Sequence, residues 1–123
     1  MLSGKFDALS GAVISAAIEV HKRLGPGFLE TVYEQALKKE LGKRDIQFES
    51  QKPVEILYDG EVVGNHILDL LVGGYIVVEL KAIKGLDDIH FAQVRSYLRA
   101  TGAKVGLLLN FNSETLTIKR IVN

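Results

Sequence analysis

The 123-residue chain contains no cysteine. Disulfides, thiolate metal sites and cysteine nucleophiles are therefore excluded; the compartment stays open, because secreted proteins can also lack the residue. An excess of charge is missing too, since Lys plus Arg and Asp plus Glu number 15 each. No global positive field draws the chain to nucleic acid, so any such attraction must come from a local patch. No window approaches the ~18 uninterrupted apolar residues of a membrane span. The opening stretch MLSGKFDALSGAVISAAIEVHKR is broken by Asp7, Glu19 and His21 and has no strongly basic start. It reads as an amphipathic helix, not an export signal, and a cytoplasmic location is the expectation.

What is present suffices for a core. Hydrophobic residues make up 47% of the chain, and the length suits one domain over residues 1–123. Val13, Ile14, Ala17, Ile18 and Leu24 recur at helical spacing and predict a helix over 8–23, ended by Gly25-Pro26-Gly27. A second helix runs from near Leu29 to about Lys43, with Val32, Tyr33, Ala36, Leu37 and Leu41 on its apolar face. From Pro53 to Tyr58 the pattern alternates, and Asp59-Gly60 signals a hairpin. A long strand, Glu61 to Val72, follows, with a bend expected at Gly64. After Gly73-Gly74 the chain returns as Tyr75 to Ile83. Asp87 or Asp88 caps a third helix that reaches about Ala100 and ends at Gly102. Lys104 to Asn110 is nearly all apolar and reads as a central strand; Leu116 to Val122 is a more exposed one. The order α-α-β-β-β-α-β-β predicts an α/β sandwich: a mixed central sheet with an antiparallel meander and one parallel crossover strand.

The apolar run YIVVELKA, Tyr75 to Ala82, carries Glu79 and Lys81, which alternation places on one face. An ionised carboxylate buried alone costs several kcal/mol, so it needs a cation or donors. Asp69, flanked by leucines, is a third charge on the preceding strand. A two-residue loop at Gly73-Gly74 would send Asp69 and Glu79 to opposite faces. A three-residue loop, Gly73-Gly74-Tyr75, would set them opposite each other, where two carboxylates repel unless a cation lies between them. The parity of one loop therefore decides between a metal site and scattered charges.

Asp69, nine intervening residues, then Glu79-Leu80-Lys81 resembles the D…ExK core of the PD-(D/E)XK nuclease superfamily. Gln93-Val-Arg-Ser-Tyr97 resembles the QxxxY motif of its exonuclease-like branches. Gly27-Phe-Leu-Glu30-Thr-Val-Tyr33 is similar to the signature of the small GxxExxY proteins of that superfamily. The likeness runs from about Ile18 to the C-terminus, with Leu68 where the superfamily name has proline. It implies a restriction-endonuclease-like three-layer sandwich and a Mg²⁺-dependent (or Mn²⁺-dependent) nuclease that leaves 5′-phosphate and 3′-hydroxyl ends. Asp69, Glu79 and the Leu80 carbonyl would be metal ligands. Lys81 would position the water or stabilise developing charge, Glu30 would reach the site directly or through water, and Gln93 and Tyr97 would hydrogen-bond to the site or to a phosphate. Nucleic acid, DNA or RNA, would be the partner. Without target-recognition insertions, a homodimer or a partner protein is a further expectation.

Plainer readings compete. Glu79 and Lys81 could form a solvated salt bridge, Glu30 could serve the helix dipole alone, and Tyr33 could be packing with its hydroxyl satisfied at an edge. His21, His66 and His90 form no ligand pair and read as surface or edge histidines. Arg95 and Arg99, on the helix of Gln93 and Tyr97, are the better candidates for phosphate contacts than the Lys38, Lys39, Lys43, Arg44 cluster. Two further function classes stand beside the enzyme: a catalytically silent nucleic-acid- or partner-binding module, and a structural or oligomeric domain whose strand charges form an internal network.

Overall fold

The computed structural model describes residues 4–123; the expectation about an export signal falls partly on residues 1–3, outside the described residues. The elements run α1 (Gly4–Leu24), α2 (Glu30–Lys43), β1 (Phe48–Tyr58), β2 (Glu61–Val72), β3 (Ile76–Lys81), α3 (Asp88–Thr101), β4 (Val105–Asn110) and β5 (Thr117–Val122). This is the order read from the sequence. The five strands form one sheet in the order β1-β2-β3-β4-β5. β3 and β4 pair in parallel through the α3 crossover, and every other neighbour is antiparallel. Three boundaries differ from expectation by two residues or more. α1 begins at Gly4, four residues before the expected start at residue 8. β1 begins at Phe48, five residues before Pro53, because β2 is long enough to pair with it as far as Val72. β3 ends at Lys81, not Ile83; there the Ile83 N–H and carbonyl turn to the buried Asn110 side chain, at 3.1 and 3.0 Å.

The sheet has a helical layer on each face. Val13, Ala17 and Val20 of α1 and Tyr33, Leu37 and Leu41 of α2 pack against Leu70, Val72, Ile76, Val78, Leu80, Leu107 and Leu109. Val94 and Leu98 of α3 pack on the other face against Leu68, Val77, Leu108 and Ile121. α3 comes very close to β4, since a Cβ on Gly106 would lie 2.5 Å from Val94 Cγ1. Only a glycine leaves room for the helix at that point. α1 is followed by Gly25, and the loop to α2 is held by Tyr33. Its hydroxyl donates to the Gly25 carbonyl (2.6 Å) and accepts from the Phe28 N–H (3.1 Å), while its ring stacks on Phe111. Tyr33 is thus a packing residue, as expected, though wholly buried and not at an edge.

The β1–β2 ribbon changes face partway along. Leu68 and Leu70 lie two residues apart, yet pack on opposite sides of the sheet. On β1, Phe48 and Val54 do the same. The change falls where Gln51 adopts φ 52°, and where the ladder skips the Gln51–Asp69 position between Ser50–Leu70 and Lys52–Leu68. Positive φ is uncommon for a residue with a side chain. Here Gln51 Nε2 donates to both carboxylate oxygens of the buried Glu34, at 3.0 and 2.9 Å, which ties the twisted segment to α2. A second irregularity sits between Ile56 and Leu57, opposite Gly64, where a bend was expected. The Asp59-Gly60 turn closes the hairpin with both residues at positive φ.

Candidate active site

The β2–β3 connection adopts the odd parity. Val72 pairs with Ile76, Leu71 with Val77 and Leu70 with Val78, leaving Gly73, Gly74 and Tyr75 in the loop. Both glycines take positive φ, at 62° and 79°, and the Tyr75 N–H donates to the Val72 carbonyl. One step further along this register, Asp69 stands opposite Glu79. The regular ladder stops just short of them, and side chains replace backbone pairing. The Leu80 N–H donates to Asp69 Oδ2 at 2.9 Å, and the Asp69 N–H faces Glu79 Oε1 at 3.4 Å. The missing Gln51–Asp69 rung leaves that N–H for Glu79.

Burial sets the electrostatics. Glu79 is 6% exposed, so its carboxylate is nearly dehydrated. Burial, and then the negative charge of Asp69, push its carboxyl up to about 8 from an ordinary 4.5. Asp69 is also raised, by burial, against the opposing effects of the Leu80 N–H and the Lys81 charge. Glu30, the first residue of α2, is raised by its own burial and next by Asp69, with Lys81 acting in the opposite sense. Tyr97 on α3 is raised by burial and by the charges of Glu79 and Asp69. Glu30, Asp69, Glu79, Lys81 and Tyr97 thus lie within electrostatic reach of one another, drawn from α2, β2, β3 and α3. Gln93, one helical turn before Tyr97, is half-buried; among the described residues no hydrogen bond joins it to the carboxylates. Arg95 and Arg99 are exposed.

His21 and His66 correct the sequence reading, whereas His90 lies at the surface as expected. His21 is buried, and its Nε2 meets the Ser113 carbonyl at 2.8 Å. His90 closes a capping arrangement at the start of α3, its Nδ1 accepting from the Asp87 N–H at 2.9 Å. His66 belongs to the site. Its ring lies flat on Tyr97, with centroids 3.7 Å apart and planes 13° apart, and its Nε2 is 4.0 Å from Glu79 Oε1. That nitrogen is buried without a hydrogen-bond partner. Burial, then repulsion from Lys81, lowers the His66 pKa. Simple alternation puts residues 66 and 69 on opposite faces, so His66 was missed; the change of face at Asp69 is what brings it round. A Gln at positive φ leaves no sequence signal for that change.

The donor set suits a hard divalent cation. Two carboxylates meet in a poorly hydrated place with more negative charge than their surroundings neutralise, and a stranded nitrogen points at one of them. Among the described residues no three His, Cys, Asp or Glu side chains are grouped so that together they could hold a metal ion. Mg²⁺ does not require such a group, because one or two carboxylates with waters and substrate oxygens ordinarily hold it. A groove of about 410 Å³ lies between Glu55, Ile56 and Leu57 of β1 and the Ser96, Arg99 and Ala100 side of α3.

The chain matches the family model of the PD-(D/E)XK nuclease superfamily over residues 7–121. It is also similar to the crystal structure of SSO0001, with 25% identity and a TM-score of 0.59 over 76% of this chain and 49% of that one. It therefore spans about half the length of SSO0001. No curated protein matches it. Among the described residues no helix is long and apolar enough to cross a membrane.

Proposed function

The chain belongs to the PD-(D/E)XK nuclease superfamily, and we propose that it is a divalent-metal-dependent nuclease hydrolysing phosphodiester bonds in DNA or RNA. Within the superfamily we assign it to the small GxxExxY group, on Gly27, Glu30 and Tyr33. The observation that carries the reading is the apposition of Asp69 and the 6% exposed Glu79, joined through the backbone of Leu80, with Lys81 two residues on. When bound, the ion, Mg²⁺ or Mn²⁺, supplies Lewis-acid polarisation of the phosphoryl group and acidifies a water.

The chain's own groups do the rest. Asp69 and Glu79 would hold the ion through anionic oxygens, and the Leu80 carbonyl would be a third oxygen ligand. Glu30 approaches from the start of α2 and completes the acidic wall, directly or through a water. The ammonium of Lys81 is a donor only, so it does not ligate a cation; it orients the attacking water or stabilises charge growing on the phosphoryl oxygens. Tyr97 and Gln93 present hydrogen-bonding groups from α3 to a phosphate.

The deciding assay is cleavage of labelled single- and double-stranded DNA and RNA with Mg²⁺ and with Mn²⁺, beside metal-binding calorimetry. Lys81→Ala should keep metal binding and lose cleavage by ~10²-fold or more, whereas Asp69→Ala and Glu79→Ala should lose both. Equal cleavage by Lys81→Ala refutes the role given to the lysine. A second reading, a silent module with an internal polar network, is favoured by the hydrogen bonds that the two carboxylates already make to backbone amides. Metal-independent nucleic-acid binding with no cleavage by the wild type would install it.

A further inference from the structure

Two patches of opposite charge lie at opposite ends of β1. Glu55, Asp59 and Glu61 are the only charged residues from Pro53 to Val63. Among the described residues none of the three forms an ion pair. Tyr58, between them at the hairpin turn, is 71% exposed, and Leu57, Val62 and Val63 are exposed as well. This tip is apolar and acidic, and its carboxylates repel phosphate, so it does not suit nucleic acid. At the other end, α2 finishes with Lys38, Lys39 and Lys43, and Arg44 follows, with Glu40 the one carboxylate among them. A hollow of about 230 Å³ lies there between α1 and α2. Val20, Leu24 and Ala36 give it an apolar lining, and Arg23, Lys39 and Lys43 stand round it. Glu19 holds Arg23 and Glu40 holds Lys43, while Lys39 has no ion-pair partner among the described residues. β1 runs from beside the hollow to the tip, and its ten steps of ~3.3 Å separate the two by roughly 30 Å. The tip of one chain therefore cannot fill the hollow of the same chain.

We propose that the two patches meet between copies of this chain: the Tyr58 ring enters the α1–α2 hollow of a second copy, and the exchange is reciprocal, forming a two-fold dimer. Charge complementarity selects the occupant. Asp59 and Glu61 come against Lys39 and Lys43 of the other copy, and the aromatic ring suits a rim of guanidinium and ammonium groups. With 15 residues of each sign, the chain carries no net charge to hold copies apart. The geometry selects the symmetry. Tip and hollow stand at the two ends of one strand, so two chains side by side and antiparallel satisfy both contacts at once, each presenting the same patches. β1 is an edge strand, and Pro53 midway along it has no N–H to offer a partner strand. The sheets therefore do not join, and the two tips carry the contact. The inference is independent of the nuclease reading.

The test is sedimentation equilibrium of the full chain across the micromolar range, where an interface of two small contacts should dissociate. The wild type should show a species of twice the 13.5 kDa chain mass, and added salt should weaken it by screening the charges. Tyr58→Ser should weaken dimerisation by roughly 10-fold or more, the scale for an aromatic anchor. Glu61→Lys and Lys39→Glu should each weaken it several-fold by setting like charges together. A chain carrying both substitutions should recover, because each reversed charge then meets its opposite on the other copy. All three positions are exposed, and recovery in the double variant excludes misfolding as the cause of the single losses. A wild type that stays monomeric throughout overturns the inference. So does a dimer that the three single substitutions leave unmoved, a double variant that does not recover, or a mass that grows without limit. Lys39→Glu that lowers nucleic-acid binding and leaves the mass unchanged overturns it too, and gives the basic end of α2 to nucleic acid instead.

Discussion

Leu80 and Asp69 are joined across two strands: the Leu80 N–H donates to Asp69 Oδ2 at 2.9 Å where the ladder between β2 and β3 has ended. Asp69 therefore has a structural task as well as a charge. Asp69→Ala strands that amide, at a cost of about 1–3 kcal/mol, while also removing a charge that crowds Glu79. Asp69→Asn keeps an acceptor for Leu80 and removes the same charge. In metal-free buffer the melting temperature of Asp69→Asn should equal or exceed that of the wild type, and that of Asp69→Ala should lie below Asp69→Asn. Equal melting of the two variants would mean that the hydrogen bond carries no weight.

Stability should fall as pH rises when no metal is present. The Glu79 carboxyl sits at about 8 in the folded chain against an ordinary 4.5. Between those values the folded state keeps a proton that the unfolded chain has released. The stabilisation is complete below the lower value and lost as pH climbs through the upper one. Raised values at Asp69 and Glu30 act in the same direction. Divalent metal displaces the Glu79 proton, so metal affinity should rise across the same window. Thermal melts against pH, with and without Mg²⁺ or Mn²⁺, check both slopes; Glu79→Gln should flatten the first and abolish the second. A metal-free stability that rises from neutral pH to 8 would contradict this electrostatic account.

Most of the architecture could be read from the chain because its punctuation is local. Gly25-Pro26-Gly27, Asp59-Gly60, Gly73-Gly74 and Gly102 each mark an element end that local backbone chemistry decides. The buried run Val105–Asn110 marks itself as central by having no polar side until its last residue. The juxtaposition of Asp69 and Glu79 was legible only as one branch of a choice, settled by whether Tyr75 belongs to the loop or to the strand. His66 was not legible. Its position depends on Gln51 taking φ 52°, and that in turn depends on Glu34, seventeen residues away on α2. A contact of that kind is tertiary, and no period in the sequence reports it.

Tyr33→Phe tests how Glu30 is held. The substitution keeps the stack on Phe111 but removes the hydroxyl that joins the Gly25 carbonyl to the Phe28 N–H. A loss of about 1–3 kcal/mol is expected in denaturant unfolding. Cleavage should weaken further than stability accounts for at temperatures where the variant is fully folded, because the loop aims the first turn of α2. Full activity in the folded variant would show that Glu30 needs no such clamp.

Gly106→Val probes the seating of α3. An added Cβ would meet Val94 Cγ1 at 2.5 Å, and overpacking of this sort costs about 1–3 kcal/mol. The helix must shift, taking Tyr97 with it and parting the Tyr97–His66 stack. Denaturant unfolding and the near-ultraviolet dichroism of the tyrosines should both change. An unaltered midpoint would show that the helix yields at that point without strain.

The parallel pairing of β3 with β4 also orders events in time. β3 becomes an interior strand only when β4 arrives, and β4 lies beyond α3. A chain emerging from the ribosome N-terminus first thus exposes Ile76 to Leu80 as an unpaired apolar edge, a template for sticking to other chains, until residues 105–110 have been made. The strand that bears Glu79 and Lys81 cannot be fixed in place before then. The nascent protein passes through an aggregation-prone stage in which the residues proposed to cut nucleic acid are present but not yet assembled.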